Sequence, residues 1–445
     1  MCRFIIAITF LLFVTSCTKH KNETKIEKAP KLQLAETILA DKRLDSVLAK
    51  AKQTLKPKDG RFQAGSNYAE TWVRDFATFI EVALEVNPQE VIKERLLLFF
   101  DFQGEDGNII DGYTELKNDG GYEYRYSKTA PNYKGHKNTV ETDQEASLIL
   151  ALARYIKVTG DKDILKLNKN GKTILERCEM ALNFLKENMY SEKFGLIKGA
   201  TTIDWTDVQP ETIWGVFTTE DTHWCVDVYD NAIYVLAINE YLKWIKEDQE
   251  KYKFWTNEKE FITKNVRKHL WDEKRQKFLP HKYIDDSPFS GFDEDEIYYL
   301  GGTIYGIQAG FLNEEEIETC YKKMLAIKDL SGSMTVAIIN YPPYPYKSFA
   351  NKDTKPYIYV NAADWTWWGG RTIEAMIETG HLELAYQEIS PFLDRVIKNE
   401  GFYEWYSVID HQPHGSNTFL GAAGALGKAI NLMKAEASKI KENNK

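Results

Sequence analysis

The sequence predicts an all-α protein whose twelve helices form six hairpins closed into a ring, an (α/α)6 barrel with short loops or strands at one end. Two observations predict this fold. A helical apolar period of about 3.6 residues dominates from residue 33 onward, and polar and aromatic clusters recur at the start of every second helix. A ring would bring the N-termini of those helices together, with the second, fourth and every further even-numbered predicted helix in the inner layer. A superhelical array of hairpins is the alternative, but it does not explain this clustering.

The apolar period and the helix start and stop signals define the elements. Asn87-Pro88 places a proline at a first helical turn, and Asn313 can cap the acidic turn that follows it. Gly160 and Gly380 are typical helix ends. The predicted helices cover residues 33–55, 69–86, 88–103, 142–160, 173–190, 227–247, 257–271, 296–311, 313–328, 362–380, 382–398 and 418–436.

The length of 445 residues suggests about three domains. However, no linker rich in proline or serine divides the chain after residue 32, so we expect residues 33–440 to form a single domain. The net charge of −9 argues against a nucleic-acid partner, because a phosphate backbone needs a basic surface. We expect a monomer.

The N-terminal segment predicts export. Arg3 precedes an apolar run over residues 4–14, which is too short to span a bilayer and is typical of a signal peptide over residues 1–16. Val14-Thr15-Ser16-Cys17 resembles a bacterial lipobox, so we expect lipidation of Cys17 and a flexible tether over residues 17–32. The protein would then be a lipoprotein in the periplasm or on the outer surface of a bacterium, anchored to the membrane. An ordinary cleaved signal is the alternative.

Aromatic residues make up 13% of the chain, which is compatible with a ring-rich core or with a ring-lined site. Their recurrence beside carboxylates at the even helix starts favours a site for a sugar, because pyranose faces stack on aromatic rings. The clusters are Trp72-Val73-Arg74-Asp75, Glu141-Thr142-Asp143-Gln144-Glu145, Asp204-Trp205-Thr206-Asp207, Asp227-Val228-Tyr229-Asp230-Asn231, Asp293-Glu294-Asp295-Glu296, Asp364-Trp365-Thr366-Trp367-Trp368 and Gly401-Phe402-Tyr403-Glu404-Trp405-Tyr406.

Two of these clusters have plain structural interpretations. Asp143 and Gln144 are typical residues of a helix N-terminus, and residues 293–296 lack the loop spacing of a calcium site, so a solvated acidic helix start is favoured. Cys178, Cys225 and Cys320 are widely spaced and are expected to be buried thiols. The chain has no nucleotide-binding loop and no histidine-rich metal motif, so we expect neither a cofactor nor a metal ion.

Three of the clusters resemble blocks of the six-hairpin glycosidases and occur in the same order: residues 72–75, residues 205–207 and residues 402–406. The set is most similar to the catalytic domain of glycogen-debranching amylo-alpha-1,6-glucosidases, with Asn231-Ala232 and His414-Gly415-Ser416-Asn417 at the corresponding places. Lys58-Asp59-Gly60-Arg61-Phe62 is similar to an N-terminal motif of trehalases, which share this barrel. The late Trp-Pro-Trp block of the debranching enzymes is replaced by residues 361–368, which changes the sugar-binding wall.

The resemblance implies an inverting hydrolase that acts on the exposed end of an oligosaccharide, with an α-glucoside-like substrate favoured. It assigns Asp207 as the general acid and Glu404 as the general base, with Asp204 as the alternative acid. Arg74 and Asp75 would grip sugar hydroxyls. The further expected substrate contacts are Tyr68, Trp72, Trp205, Asn231, Trp365, Trp367, Trp368 and His414.

Other functions remain compatible with the sequence. A glycan-binding lipoprotein could use the aromatic residues without cleaving, but it would have no need of an acid and base pair. A trehalase-like enzyme could use the same barrel. A phosphorolytic enzyme would need a basic phosphate pocket beside the base, where the chain offers only His411 and His414.

Overall fold

The computed structural model describes residues 30–57, 60–213 and 216–444. The predicted signal peptide, Cys17 and the tether up to residue 29 lie outside these residues, as do Lys58 and Asp59 of the trehalase-like motif. Residues 30–32, which we expected in the tether, are already helical. Within the described ranges, no helix combines the length and apolar character that crossing a membrane requires.

The described residues contain thirteen α-helices, because Asp41 interrupts the first predicted helix. Its carboxylate accepts a hydrogen bond from the backbone of Arg43 and caps a new helix. The helices are α1 (30–40), α2 (Lys42–Thr54), α3 (Val73–Leu84), α4 (Gln89–Asp101), α5 (Gln144–Thr159), α6 (Ile174–Asn188), α7 (Val228–Trp244), α8 (Gln249–His269), α9 (Leu300–Gln308), α10 (Glu314–Ser331), α11 (Thr366–Glu378), α12 (Leu382–Asn399) and α13 (Leu420–Glu442).

The predicted barrel is confirmed. Six inner helices form a closed ring, in which α3 packs on α5, α5 on α7, α7 on α9, α9 on α11 and α11 on α13. Contacts between α13 and α3 close the ring. The outer helices α4, α6, α8, α10 and α12 pack against their inner neighbours, and α2 packs on α12 and α13. The chain alternates between the two layers, so all six inner helices begin at the same end of the barrel.

Local sequence explains most helix boundaries. Asn313 caps α10 through a reciprocal pair of hydrogen bonds with Glu316, as its position predicted. Gly160 ends α5 in the left-handed conformation (φ 72°) that glycine adopts without strain. The eighth predicted helix starts later than expected: residues 294–296 form a short 3-10 turn, and α9 begins only at Leu300. Another 3-10 helix covers Lys162–Lys166.

Short antiparallel strands occupy the connections. A four-stranded sheet in the order β1-β2-β4-β3 precedes α5, and β9, β10 and β13 form a three-stranded sheet. The strands are β1 (Thr71–Trp72), β2 (Gly112–Glu115), β3 (Arg125–Tyr126), β4 (Tyr133–His136), β5 (Asn168–Lys169), β6 (Lys172–Thr173), β7 (Tyr190–Ser191), β8 (Leu196–Ile197), β9 (Gly199–Ala200), β10 (Trp224–Val226), β11 (Trp271–Asp272), β12 (Lys277–Phe278), β13 (Lys282–Tyr283), β14 (Tyr298–Tyr299), β15 (Asn340–Tyr341), β16 (Trp405–Tyr406) and β17 (Pro413–His414).

Glycine sets the closest approach between two inner helices. A Cβ atom on Gly424 of α13 would lie 2.3 Å from the Cβ atom of Phe79 on α3. Because real side-chain atoms do not approach so closely, only glycine permits α13 to pack at this distance from α3. This contact helps to close the ring.

Candidate active site

A pocket of about 220 Å³ opens where the inner helices begin. Its wall combines carboxyl groups, one arginine and several aromatic rings. Nine of the twelve residues predicted to act on or bind a sugar line it: Tyr68, Trp72, Arg74, Asp75, Trp205, Asp207, Trp365, Trp367 and Glu404. The barrel therefore brings together residues that are up to 336 positions apart in the sequence.

Glu404 is held rigidly just before strand β16. One carboxylate oxygen accepts a hydrogen bond from the Tyr68 hydroxyl at 2.8 Å, and the other accepts one from the Ser416 backbone N–H at 3.1 Å. Gly415 has a φ of 72°, and a Cβ atom there would lie 2.4 Å from Glu404 Oε2, so glycine is required. Burial raises the pKa of Glu404, and the two hydrogen bonds oppose that shift by stabilising the ionised form.

Asp207 lines the same pocket, and no described side chain donates a hydrogen bond to it. Burial raises its pKa to about 6, and the Asp111 carboxylate adds to this effect while Arg74 opposes it. A carboxyl group in this state can hold a proton at mildly acidic pH and can deliver it to a bound ligand.

Asp204, the alternative acid, does not line the pocket. Its two carboxylate oxygens accept hydrogen bonds from the backbone N–H groups of Gly301 and Gly302, at 2.8 and 2.9 Å. These N–H groups belong to the first turn of α9, where a helix has unpaired donors and a partial positive charge. The geometry thus favours Asp207 over Asp204 as the carboxyl group available to a ligand.

Arg74 is the centre of a buried ionic network. Its Nη1 atom contacts carboxylate oxygens of Asp111 at 3.0 Å, Glu141 at 2.5 Å and Asp143 at 3.4 Å. The Tyr229 hydroxyl donates to the second oxygen of Asp143 at 2.7 Å. Asp143 therefore takes part in this ionic network in addition to preceding the first residue of α5, although it does not line the pocket.

Asp75 follows Arg74 in the first turn of α3 and is buried against α13. Its Oδ1 atom has no hydrogen-bond partner among the described residues. Burial raises the pKa of Asp75 to about 7, and Arg74 opposes the shift. Asp75 lines the pocket wall, and its role in gripping a sugar hydroxyl stays a prediction.

Aromatic rings form one side of the pocket. Trp205 contacts two of the other rings, because its ring centroid lies 5.5 Å from that of Trp365 and 5.6 Å from that of Trp367. The indole N–H groups of Trp365 and Trp367 donate to Tyr359 O and Thr78 Oγ1, which fixes both rings. Such flat faces suit stacking against a sugar ring.

Three expected sugar contacts do not line the pocket. Trp368 is fully buried behind Trp205 and belongs to the core. The Asn231 amide is also fully buried and exchanges hydrogen bonds with the backbone of Ile197, so it holds α7 to strand β8. His414 is exposed and stacks on Trp405 at 4.3 Å outside the cavity.

Residues that sequence reasoning did not assign complete the wall. Glu141 was within a recognised cluster, but Asp111 lies in a connection between α4 and β2 and carried no helix-start signal. Tyr359 lies in a long loop with a left-handed backbone (φ 53°). The unassigned lining residues are Ala64, Asp111, Tyr122, Asn138, Glu141, Thr206, Val216, Tyr359, Val360 and Phe419.

The predicted acidic cluster at residues 293–296 differs from expectation in one residue. The Glu294 side chain is only 10% exposed, and it accepts hydrogen bonds from the hydroxyl groups of Tyr283 and Tyr344 and contacts His281 at 2.8 Å. This cluster lies outside the pocket. Among the described residues, no group of three or more His, Cys, Asp or Glu side chains has an arrangement suited to a metal ion.

Solved structures with this architecture include enzymes that act on sugars. The chain is similar to the GH63 mannosylglycerate hydrolase from Thermus thermophilus in complex with glucose, with a TM-score of 0.63, 14% identity and coverage of 87% of this chain and 99% of that chain. It is also similar to a rhamnosidase from Klebsiella oxytoca with rhamnose bound, with a TM-score of 0.59, 12% identity and coverage of 89% and 64%. At these identities, the similarity shows the fold.

The fold and the family match together define a glycoside-active enzyme of the six-hairpin class. More narrowly, the chain belongs to the glycosyl hydrolase 94 superfamily, whose catalytic-domain model matches residues 62–410. A comparison with curated proteins finds no match. The predicted superfamily is confirmed, whereas the closer resemblance to glycogen-debranching enzymes remains a prediction.

Proposed function

We propose that this protein is an inverting glycoside hydrolase that removes a sugar unit from the exposed end of an oligosaccharide, with an α-glucoside-like substrate favoured. Asp207 donates a proton to the leaving glycosidic oxygen. Glu404 takes a proton from the water that attacks on the opposite face of the sugar. The observation that carries this proposal is the presence of both carboxyl groups in one pocket with different surroundings.

The two environments suit the two roles. Glu404 accepts two hydrogen bonds, and these stabilise the ionised form that a general base needs. Asp207 lacks such donors among the described side chains, and its pKa of about 6 keeps a proton available to a general acid. Inverting enzymes place the two carboxyl groups roughly 6.5–9.5 Å apart, which leaves room for the water.

The size of the pocket supports action at a chain end. Pockets for drug-sized ligands typically have volumes of roughly 300–1,000 Å³, and this one has about 220 Å³. This volume is compatible with one terminal sugar unit in the pocket.

The charge of the pocket favours hydrolysis over phosphorolysis. Arg74 is the one basic residue among the described residues that line it, and three carboxyl groups already contact its guanidinium. A phosphate ion in this pocket would meet the carboxyl groups of Asp75, Asp111 and Glu141, with Arg74 as the single cation among the described lining residues. Water does not require such a partner.

The activity is tested with a panel of α- and β-linked disaccharides, scored by released monosaccharide with and without phosphate. Glu404→Gln and Asp207→Asn should each lower turnover by about 10²- to 10⁴-fold. Glu294→Gln is the matched control, because Glu294 is a largely shielded glutamate that accepts hydrogen bonds from two tyrosine hydroxyls and lies outside the pocket. Retained turnover in Glu404→Gln, or a requirement for phosphate, would contradict the proposal.

The stereochemistry gives an independent test. Proton NMR of the first-formed product should show the anomeric configuration opposite to that of the substrate. Retention of configuration would exclude the inverting mechanism, even if both carboxyl groups proved essential.

We also propose that Cys17 is lipidated and that the enzyme acts as a monomer in the periplasm or on the outer surface of a bacterium. The support is the lipobox-like sequence over residues 14–17. Metabolic labelling with a fatty acid should mark the wild type and not Cys17→Ala. Equal labelling of both proteins would refute the anchor.

A further inference from the structure

Three buried carboxyl groups share a single guanidinium beside the pocket. Asp111, Glu141 and Asp143 all contact Arg74 Nη1, and each of their side chains is at most 5% exposed. Full ionisation would leave two negative charges without a partner in a low-dielectric environment, which is costly. Even a charged His136, whose Nε2 atom lies 3.8 Å from Asp111, would leave one charge uncompensated. At least one of the three therefore keeps a proton.

The contacts of the individual oxygens indicate which group keeps it. Burial raises the pKa of Asp143 as well, but both of its oxygens are occupied, by Arg74 and by the Tyr229 hydroxyl, and these two contacts oppose the shift. Arg74 lowers the pKa of Asp111 against the opposing effect of burial, so Asp111 is the ionised partner.

Glu141 has a different set of contacts. Its Oε2 atom accepts from Arg74 at 2.5 Å and from the Asn138 amide at 2.9 Å, whereas no described residue bonds to Oε1. Burial raises the pKa of Glu141 well above its ordinary value, and the carboxylates of Asp111, Asp143 and Asp207 add to this effect. Among the three carboxyl groups around Arg74, Glu141 and Asp111 line the pocket.

We propose that Glu141 carries a proton in the resting enzyme and donates a hydrogen bond from Oε1 to an oxygen of the bound sugar. This role rests on the proposed glycosidase function. A carboxylate can only accept hydrogen bonds, whereas a neutral carboxyl group also donates one. Glu141 thus provides a donor in a pocket that is otherwise rich in acceptors, and it helps to select a sugar with an oxygen acceptor at that position.

Glutamine imitates a neutral carboxyl group, because its amide accepts through one atom and donates through the other. Glu141→Gln should retain roughly tenfold more of the wild-type kcat/KM than Glu141→Leu, whose loss should fall mainly on KM. Asp207→Asn is the contrasting variant, because an amide does not deliver a proton. Equal losses of kcat/KM in Glu141→Gln and Glu141→Leu would overturn the proposal.

Infrared difference spectroscopy tests the protonation without substrate or turnover. The wild-type spectrum minus that of Glu141→Gln at neutral pH should contain the carbonyl band of a protonated carboxyl group. Asp143→Asn is the matched control and should not remove this band.

These outcomes separate the two proposals. If no disaccharide is cleaved but the band is present, the glycosidase proposal fails and the protonation stands. If no band is present, or if Glu141→Gln does not fold at pH 7, the proposal for Glu141 is wrong whatever the enzyme cleaves.

Discussion

Removal of the Tyr68 hydroxyl should move the acid limb of the pH–activity profile to higher pH. The hydroxyl donates a hydrogen bond to Glu404 Oε1 at 2.8 Å and thereby stabilises the carboxylate. This contact lowers the pKa of Glu404 against the effect of burial. In Tyr68→Phe the pKa of Glu404 rises, so the base is protonated at a pH where the wild-type base is still ionised.

The magnitude follows from the strength of the lost bond. A hydrogen bond to a charged group contributes about 1.5–3 kcal/mol, and about 1.36 kcal/mol corresponds to a factor of ten. On the acid limb, kcat/KM of Tyr68→Phe should therefore fall roughly tenfold to hundredfold below the wild type. On the plateau above that limb, where both bases are ionised, the difference should be much smaller.

The assay is kcat/KM measured across pH for the wild type, Tyr68→Phe and Tyr283→Phe. Tyr283 is the matched control, because its hydroxyl donates to Glu294 at 2.7 Å outside the pocket. Tyr283→Phe should lose stability without moving the limb. An acid limb that stays in place in Tyr68→Phe would refute the assignment of Glu404 as the base that Tyr68 stabilises.

Three further outcomes are expected. If Asp207 is the acid, the alkaline limb of the kcat/KM profile should lie near pH 6, because activity is lost as Asp207 loses its proton. An alkaline limb at the same pH in Asp207→Asn would contradict this assignment. Asp204→Asn should lower the unfolding free energy by about 1 kcal/mol, measured with denaturant, and should retain turnover. If turnover is abolished, Asp204 rather than Asp207 is the acid. Gly424→Ala should destabilise the protein by about 1–3 kcal/mol, because the added Cβ atom clashes with Phe79. Gly427→Ala is the control and should be tolerated, because its nearest contact would be at 3.3 Å. Equal thermal stability of the two variants would refute the packing argument.

The sequence predicted most of the fold because helical periodicity is a local property. The first predicted helix corresponds to α1 and α2, and the other eleven correspond to α3 through α13. The recurrence of clusters at every second predicted helix identified the inner layer. The errors lie at boundaries, where a single side chain decides: the cap at Asp41 divides the first helix, and the turn at residues 294–296 delays α9.

Residue type predicted membership of the pocket less well than it predicted the fold. Trp368 and Trp367 are neighbours in sequence and chemically identical, yet one is core and the other lines the pocket. Adjacent helical positions face about 100° apart, so only the packed ring determines which of them reaches the cavity. The same reason explains Asn231, whose amide bonds to strand β8 rather than to a ligand.

Local pattern was thus sufficient for the helices, the barrel and nine of the residues that line the pocket. It favoured Asp207 as the acid without excluding Asp204, and it did not predict that Asp111 and Glu141 contact Arg74. Those assignments depend on contacts between residues far apart in the chain and on the loss of water around them. Burial and neighbouring charges set the protonation of a carboxyl group, and both arise only when the barrel closes.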